Sequence, residues 1–135
     1  MNQALILQPA AAMLLLTLAV WLYMFIRRFA FALPKKVDIE SLKTPEKAGQ
    51  VFPEAVNNVG NNFKNLFELP VLFYVVALLL YVTSTVDALY LNAAWLFVAL
   101  RGLHSLIHCT YNTVMHRFLA YLLSAFALWF MVLRL

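Results

Sequence analysis

The sequence predicts an all-α membrane protein built as a bundle of four transmembrane helices. Of its 135 residues, 64% are hydrophobic and only 12% are charged, whereas soluble domains are about 45–50% apolar and about 25% charged. The mean hydropathy of the chain is +0.82. Four spans of about 20 residues each, joined by loops, would use nearly the whole chain. A single domain over residues 1–135 is therefore expected.

The first span is predicted at about residues 4–28. The run from Ala4 to Ile26 contains no charged residue and is followed by two arginines. A secretory signal peptide would begin with positive charge and would have a shorter apolar core. Since no charged side chain precedes this run, we interpret it as a retained transmembrane helix.

Residues 29–52 are predicted to form a cytosolic loop. The loop holds four lysines and follows two arginines, and basic residues of membrane proteins concentrate on the cytosolic side. Both termini are then expected outside the cytosol. Pro34, Pro45 and Gly49 are expected to exclude regular structure from the loop. Because the loop accounts for most of the positive charge, the net charge of +4 does not indicate nucleic-acid binding.

The other three helices are predicted at about residues 53–84, 89–109 and 117–134. The first of these is expected to be one long helix, and its segment from Val56 to Glu68 is rich in asparagine. The loops outside the cytosolic segment are short, and the chain carries no obvious organelle signal. These two observations favour a bacterial inner membrane.

Three polar clusters lie on the predicted spans, where such side chains are costly and tend to face a bundle interior or a wet cavity. Steps of three and four residues place the members of each cluster on one helix face. The clusters are Asn57, Asn61, Lys64, Asn65 and Glu68 on the second helix, Arg101, His104 and His108 on the third, and Arg117 and Tyr121 on the fourth.

Each cluster also has a purely structural interpretation. The asparagines could hydrogen-bond between helices, Arg101 could pair with Glu68, and Arg117 with Tyr121 could anchor the helix at the interface. Two histidines at positions i and i+4 could ligate a metal, but no third ligand stands at motif spacing, so no metal is expected.

Two segments resemble motifs of the MAPEG family, the membrane-associated proteins of eicosanoid and glutathione metabolism. Asn65-Leu66-Phe67-Glu68, followed by Pro70, is similar to the family's Asn-x-x-Glu signature. Arg101-x-x-His104, followed by His108, Arg117 and Tyr121, resembles in spacing the site residues of the microsomal prostaglandin E synthase branch. The resemblance covers nearly the whole chain.

The resemblance implies a homotrimer that binds glutathione between neighbouring subunits near the cytosolic face. The implied site consists of Asn61, Lys64, Asn65, Glu68, Arg101, His104, His108 and Tyr121, with Arg117 beside the thiol. The chain departs from the family at Asn61, where an arginine is usual, and keeps one charge at Lys64. His108 stands in place of a tyrosine of the synthase branch, and Phe118 in place of its serine.

The function implied is a membrane-bound, glutathione-dependent transferase or peroxidase acting on lipophilic electrophiles or lipid hydroperoxides. A free thiol has a pKa of about 8.5, and a nearby guanidinium favours the reactive thiolate. Two alternatives stay open. The Asn61 departure favours a non-catalytic trimeric scaffold or lipid-binding protein, and Glu68, His104 and His108 could form the relay of a proton-coupled transporter.

Overall fold

The computed structural model describes residues 1–135 and contains helices but no strands. A 3-10 turn at Gln3–Ile6 leads into α1, and a second 3-10 turn at Ile39–Leu42 precedes α2. The helices are α1 (Leu7–Ala32), α2 (Pro45–Val51), α3 (Glu54–Asn65), α4 (Leu69–Val82), α5 (Ala88–Cys109) and α6 (Val114–Arg134).

Three helical segments are long and apolar enough to cross a membrane, Gln3–Ala32, Glu54–Val82 and Val114–Arg134. The predicted third span, which corresponds to α5, is 22 residues long but is not among them. Asn92, Arg101 and His104 lower its hydropathy, although Arg101 and His104 are buried within the fold. The structure thus supports a membrane protein with three clearly apolar spans.

The long second helix predicted from the sequence is interrupted at residues 66–68, so that prediction is wrong at this point. Pro70 has no N–H to donate to the carbonyl of Leu66, and its ring would clash with that carbonyl in a continuous helix. The backbone N–H of Glu68 instead donates to the carbonyl of Asn65, three residues back, at 3.1 Å. Glu68 therefore lies at a bend between α3 and α4.

The basic loop between α1 and α3 has more regular structure than expected from the sequence. Pro45 begins α2 instead of preventing it, because a first-turn proline loses no helical hydrogen bond and already has a helical φ. Thr44 caps this helix by accepting a hydrogen bond from the N–H of Lys47 at 3.2 Å. Gly49 lies inside α2, so the expected absence of structure is wrong here as well.

The first and last helices are longer than predicted. α1 continues to Ala32, and α6 begins at Val114 instead of residue 117. Charged residues end an apolar run without ending a helix: within α1, Arg27 Nη1 donates to Tyr23 Oη at 2.8 Å. The end of the apolar run and the end of the helix are therefore different positions in α1.

The apolar core joins α1, α4, α5 and α6. Phe73 of α4 stacks on Phe97 of α5 with ring centroids 4.5 Å apart, and Met13 of α1 and Leu128 of α6 are fully buried. Outside this core most large apolar side chains are exposed, as expected for helices that face lipid.

A buried polar contact fixes α3 against α5 at the end of the bundle that carries the basic loop. Asn62 is fully buried, its Oδ1 accepts from Ser105 Oγ at 3.3 Å, and its Nδ2 lies 3.6 Å from Cys109 Sγ. Asn61, the preceding residue of α3, is exposed and lines a cavity.

Candidate functional site

A cavity of about 540 Å³ is formed by residues of α3, the bend at Glu68, α5 and α6. It is lined by Asn61, Lys64, Asn65, Glu68, His104, His108, Val114, Arg117, Phe118 and Tyr121. All of the site residues predicted from the sequence, except Arg101, line this one space. The structure therefore brings together the three polar clusters, which are distant from one another along the chain.

Arg101 lies directly behind the cavity wall and does not line it. The residue is fully buried, and its Nη2 donates a hydrogen bond to Asn65 Oδ1. Its guanidinium carbon is 5.8 Å from the ring centroid of Tyr121. Because Asn65 and Tyr121 both line the cavity, Arg101 acts on the site through these two side chains.

The ion pair that Arg101 could form with Glu68 is absent from the structure. The chain's salt bridge joins Arg134 to Asp87 at 2.7 Å, and Glu68 is exposed at the bend. The interruption of the helix separates Glu68 from the face on which Asn65 meets Arg101. The Nε and Nη1 atoms of Arg101 consequently have no hydrogen-bond partner within the chain.

Arg117 is held at the cavity wall by a residue that the sequence analysis missed. Its Nη1 donates to Asn112 Oδ1 at 2.7 Å. Asn112 has a φ of 49°, and its N–H donates to the carbonyl of Ile107 at 2.8 Å, which closes the end of α5. Asparagine adopts this left-handed conformation more readily than most residues. An asparagine between two predicted helices was therefore the sequence signal that could have identified this turn residue.

His104 and His108 form the α5 wall of the cavity. Both are buried, and their ring centroids are 5.7 Å apart. The ring of Tyr121 lies 6.1 Å from that of His104. The Nδ1 atoms of both histidines are buried and have no hydrogen-bond partner within the chain.

A comparison with protein-family models matches residues 6–135 to the model described as MAPEG family. The chain belongs to the MAPEG family. The resemblance inferred from its two motifs is thereby confirmed over nearly the whole chain. Comparisons of the chain with curated proteins and with solved structures find no match.

The cavity of this MAPEG protein combines charged and apolar walls. Lys64 is exposed on the α3 side, while Val114 and Phe118 are exposed on the α6 side. Val114 was not predicted from the sequence, and Phe118 was identified there only as a departure from the family. Such a space suits a polar ligand that reacts with an apolar one.

Asn57 belongs to the first polar cluster in the sequence but does not line the MAPEG cavity. Its Nδ2 donates to the carbonyl of Gly49 at 2.8 Å and to that of Phe52 at 3.1 Å. It therefore ties α2 to α3. The structure also places no three His, Cys, Asp or Glu side chains where they could hold a metal ion.

Proposed function

We propose that this MAPEG protein is a glutathione-dependent transferase or peroxidase that acts on lipophilic electrophiles or lipid hydroperoxides. The observation that carries the proposal is the single cavity that Arg117 lines together with Asn65 and Glu68 of the family signature. The family includes glutathione transferases and peroxidases. Its cosubstrate, glutathione, has two carboxylates, one ammonium group and one thiol. The cavity offers basic groups for the carboxylates and an acidic group for the ammonium.

The binding roles follow from charge. Lys64 and the amide of Asn65 would hold the carboxylates of glutathione, and Glu68 would accept hydrogen bonds from its ammonium group. Arg101 would be a positioning residue that orients Asn65. Because Asn61 supplies an amide where the family usually has an arginine, Lys64 is the one cation on the α3 wall of the cavity.

Arg117 would act as the catalytic residue by stabilising the thiolate. In a transferase reaction the sulfur forms a bond to the electrophilic carbon, the leaving group departs with its electron pair, and the thiol proton passes to solvent. In a peroxidase reaction the sulfur takes the terminal oxygen of the hydroperoxide, the O–O bond breaks, and an alcohol leaves. A second glutathione then attacks the sulfenic acid, which yields water and glutathione disulfide.

The proposal extends to the assembly and its membrane. We propose a homotrimer in which α5 also crosses the membrane, which gives four spans, and glutathione lies between subunits. Acceptors from a ligand or a neighbouring subunit would satisfy the free nitrogens of Arg101. The basic loop would be cytosolic, with both termini outside a bacterial inner membrane. Phosphatase and fluorescent-protein fusions at each terminus test the orientation, and native mass spectrometry tests the trimer.

The deciding experiment is glutathione binding to the purified full chain in detergent, with the ultraviolet absorbance of the bound thiolate as readout. We expect binding with a thiolate signal that Arg117→Ala removes and Arg117→Lys partly retains. His116→Ala is the control, because His116 is exposed and does not line the cavity. Absence of binding at millimolar glutathione would refute the proposal.

A non-catalytic scaffold or lipid-binding protein of the same fold is the second candidate, and the amide at Asn61 favours it. In that case Arg117→Ala would alter neither ligand binding nor activity. A proton relay is disfavoured because Asp87 and Arg134 pair with each other at the other end of α5. About 20 Å of helix without an acidic or basic side chain separates Asp87 from Arg101.

A further inference from the structure

A second cavity, of about 450 Å³, lies where the loop and α2 meet α1 and α3. Three cations, Arg28, Lys43 and Lys64, line it together with Asn57 and Asn61, and no acidic residue does. Three positive groups around one space, with the amide of Asn61 beside them, favour an anionic ligand.

An apolar cavity of about 230 Å³ adjoins this cationic cavity. Phe25, Phe29 and Phe52 line the apolar cavity. The two spaces share Arg28, Leu42 and Ala48 as lining residues, so they form one composite site with a charged part and an apolar part.

Arg28 stands at the junction of the two parts. Its guanidinium carbon is 5.7 Å from the ring centroid of Phe52, and its Nε is buried without a hydrogen-bond partner in the chain. Gly60 permits this position, because a Cβ built there would lie 2.8 Å from Arg28 Nη2. The chain therefore brings a guanidinium to the site but provides no carboxylate to pair with it.

We propose that this composite site binds an anionic amphiphile, with its charged headgroup among Arg28, Lys43 and Lys64 and its acyl chain along Phe25 and Phe29. The location fits such a ligand. Arg28 follows directly on the apolar run of α1, and basic residues beside a span attract anionic lipid headgroups. The site shares Asn61 and Lys64 with the glutathione cavity but does not depend on the function proposed for it.

The test is lipid titration of the full chain in detergent, read by native mass spectrometry. The probe is palmitoyl-oleoyl phosphatidylglycerol, and the matched control lipid is phosphatidylcholine with the same acyl chains. We expect tighter binding of phosphatidylglycerol, weakened about tenfold by Lys43→Gln, which removes one charged hydrogen-bond donor. Lys47→Gln is the control variant, because Lys47 is exposed in α2 but lines neither cavity.

A further variant separates the position of Arg28 from the charge of the site, and further probes identify the kind of ligand. Gly60→Ala keeps every charge but displaces the guanidinium of Arg28, and we expect a similar loss of affinity. Glycerol phosphate lacks an acyl chain, and we expect it to bind far more weakly than phosphatidylglycerol. If oleate binds and Lys43→Gln weakens its binding as well, a fatty acid is an alternative ligand. Any of three results would overturn the proposal. The two lipids could bind equally, Lys43→Gln and Lys47→Gln could have equal effects, or glycerol phosphate could fully displace phosphatidylglycerol.

Discussion

Asn112 accepts a hydrogen bond from Arg117 at 2.7 Å, so the turn that ends α5 also places the proposed catalytic guanidinium. The same asparagine adopts the positive φ that this turn requires. Backbone closure and side-chain positioning therefore depend on one residue between two helices.

Replacement of Asn112 by glycine should separate these two roles. Glycine tolerates the positive φ but cannot accept from Arg117, so we expect the fold to persist while the guanidinium loses its fixed position. The expected result is about a tenfold lower kcat and a higher pH midpoint for formation of the bound thiolate, with little change in KM. Asn112→Asp restores an acceptor for Arg117 but adds a negative charge that disfavours the thiolate, so the pH midpoint should stay raised in this variant. An unchanged pH profile in the glycine variant would show that Asn112 serves the turn alone.

Replacement of Asn65 by alanine should affect stability and binding together. Arg101 would lose the acceptor of its one side-chain hydrogen bond while staying fully buried, at a cost of about 1–3 kcal/mol in the free energy of unfolding. Denaturation in mixed micelles measures this cost, and calorimetry measures glutathione affinity. Asn58→Ala is the matched control, because Asn58 lies on α3 outside the cavity. Equal effects of the two variants would contradict the positioning role of Arg101.

The Asp87–Arg134 pair predicts a specific dependence of stability on acid. Arg134 donates to Asp87 and, with the capped N–H of Tyr90, lowers the pKa of that carboxyl from 3.8 to about 2. A carboxyl with a lowered pKa stabilises the fold above pH 3.8, and this contribution is lost as the pH falls through about 2. Because the pair is partly exposed, the effect should be small.

Asp87→Asn isolates the charge pair from the helix cap. Asp87 Oδ1 accepts a hydrogen bond from the N–H of Tyr90 at 3.0 Å. An asparagine at this position can still accept that hydrogen bond. We expect the thermal midpoint of this variant to change less between pH 4 and pH 2 than that of the unaltered protein. Parallel pH curves for the two proteins would mean that the pair contributes nothing measurable.

The bend at residues 66–68 should be required for binding. Pro70→Ala restores a donor for the carbonyl of Leu66, so we expect a more continuous helix, higher helical circular dichroism and a displaced Glu68. Glutathione affinity should fall as a result. Pro53→Ala is the control, because Pro53 precedes α3 and interrupts no helix. If Pro70→Ala binds as tightly as the unaltered protein, the position of Glu68 does not depend on the proline.

Helical class, membrane residence and family could be predicted from local properties of the sequence. Apolar runs predict spans because lipid offers no partner for backbone N–H and C=O groups. The steps of three and four residues placed Lys64 and Glu68, or His104 and His108, near each other before any fold was known. Pro70 is a local signal of the helix break, but the segments on both sides of it are typical of helices, which favoured one long helix.

The sequence by itself determined that this chain is a helical membrane protein with three polar clusters. Only the tertiary structure decided that members of all three clusters line one cavity, that Arg101 pairs with Asn65 instead of Glu68, and that Asn112 holds Arg117. The reason is physical. Hydropathy and helical periodicity depend on neighbours along the chain, whereas a buried guanidinium selects its acceptor by the distance and direction that packing of separate helices imposes.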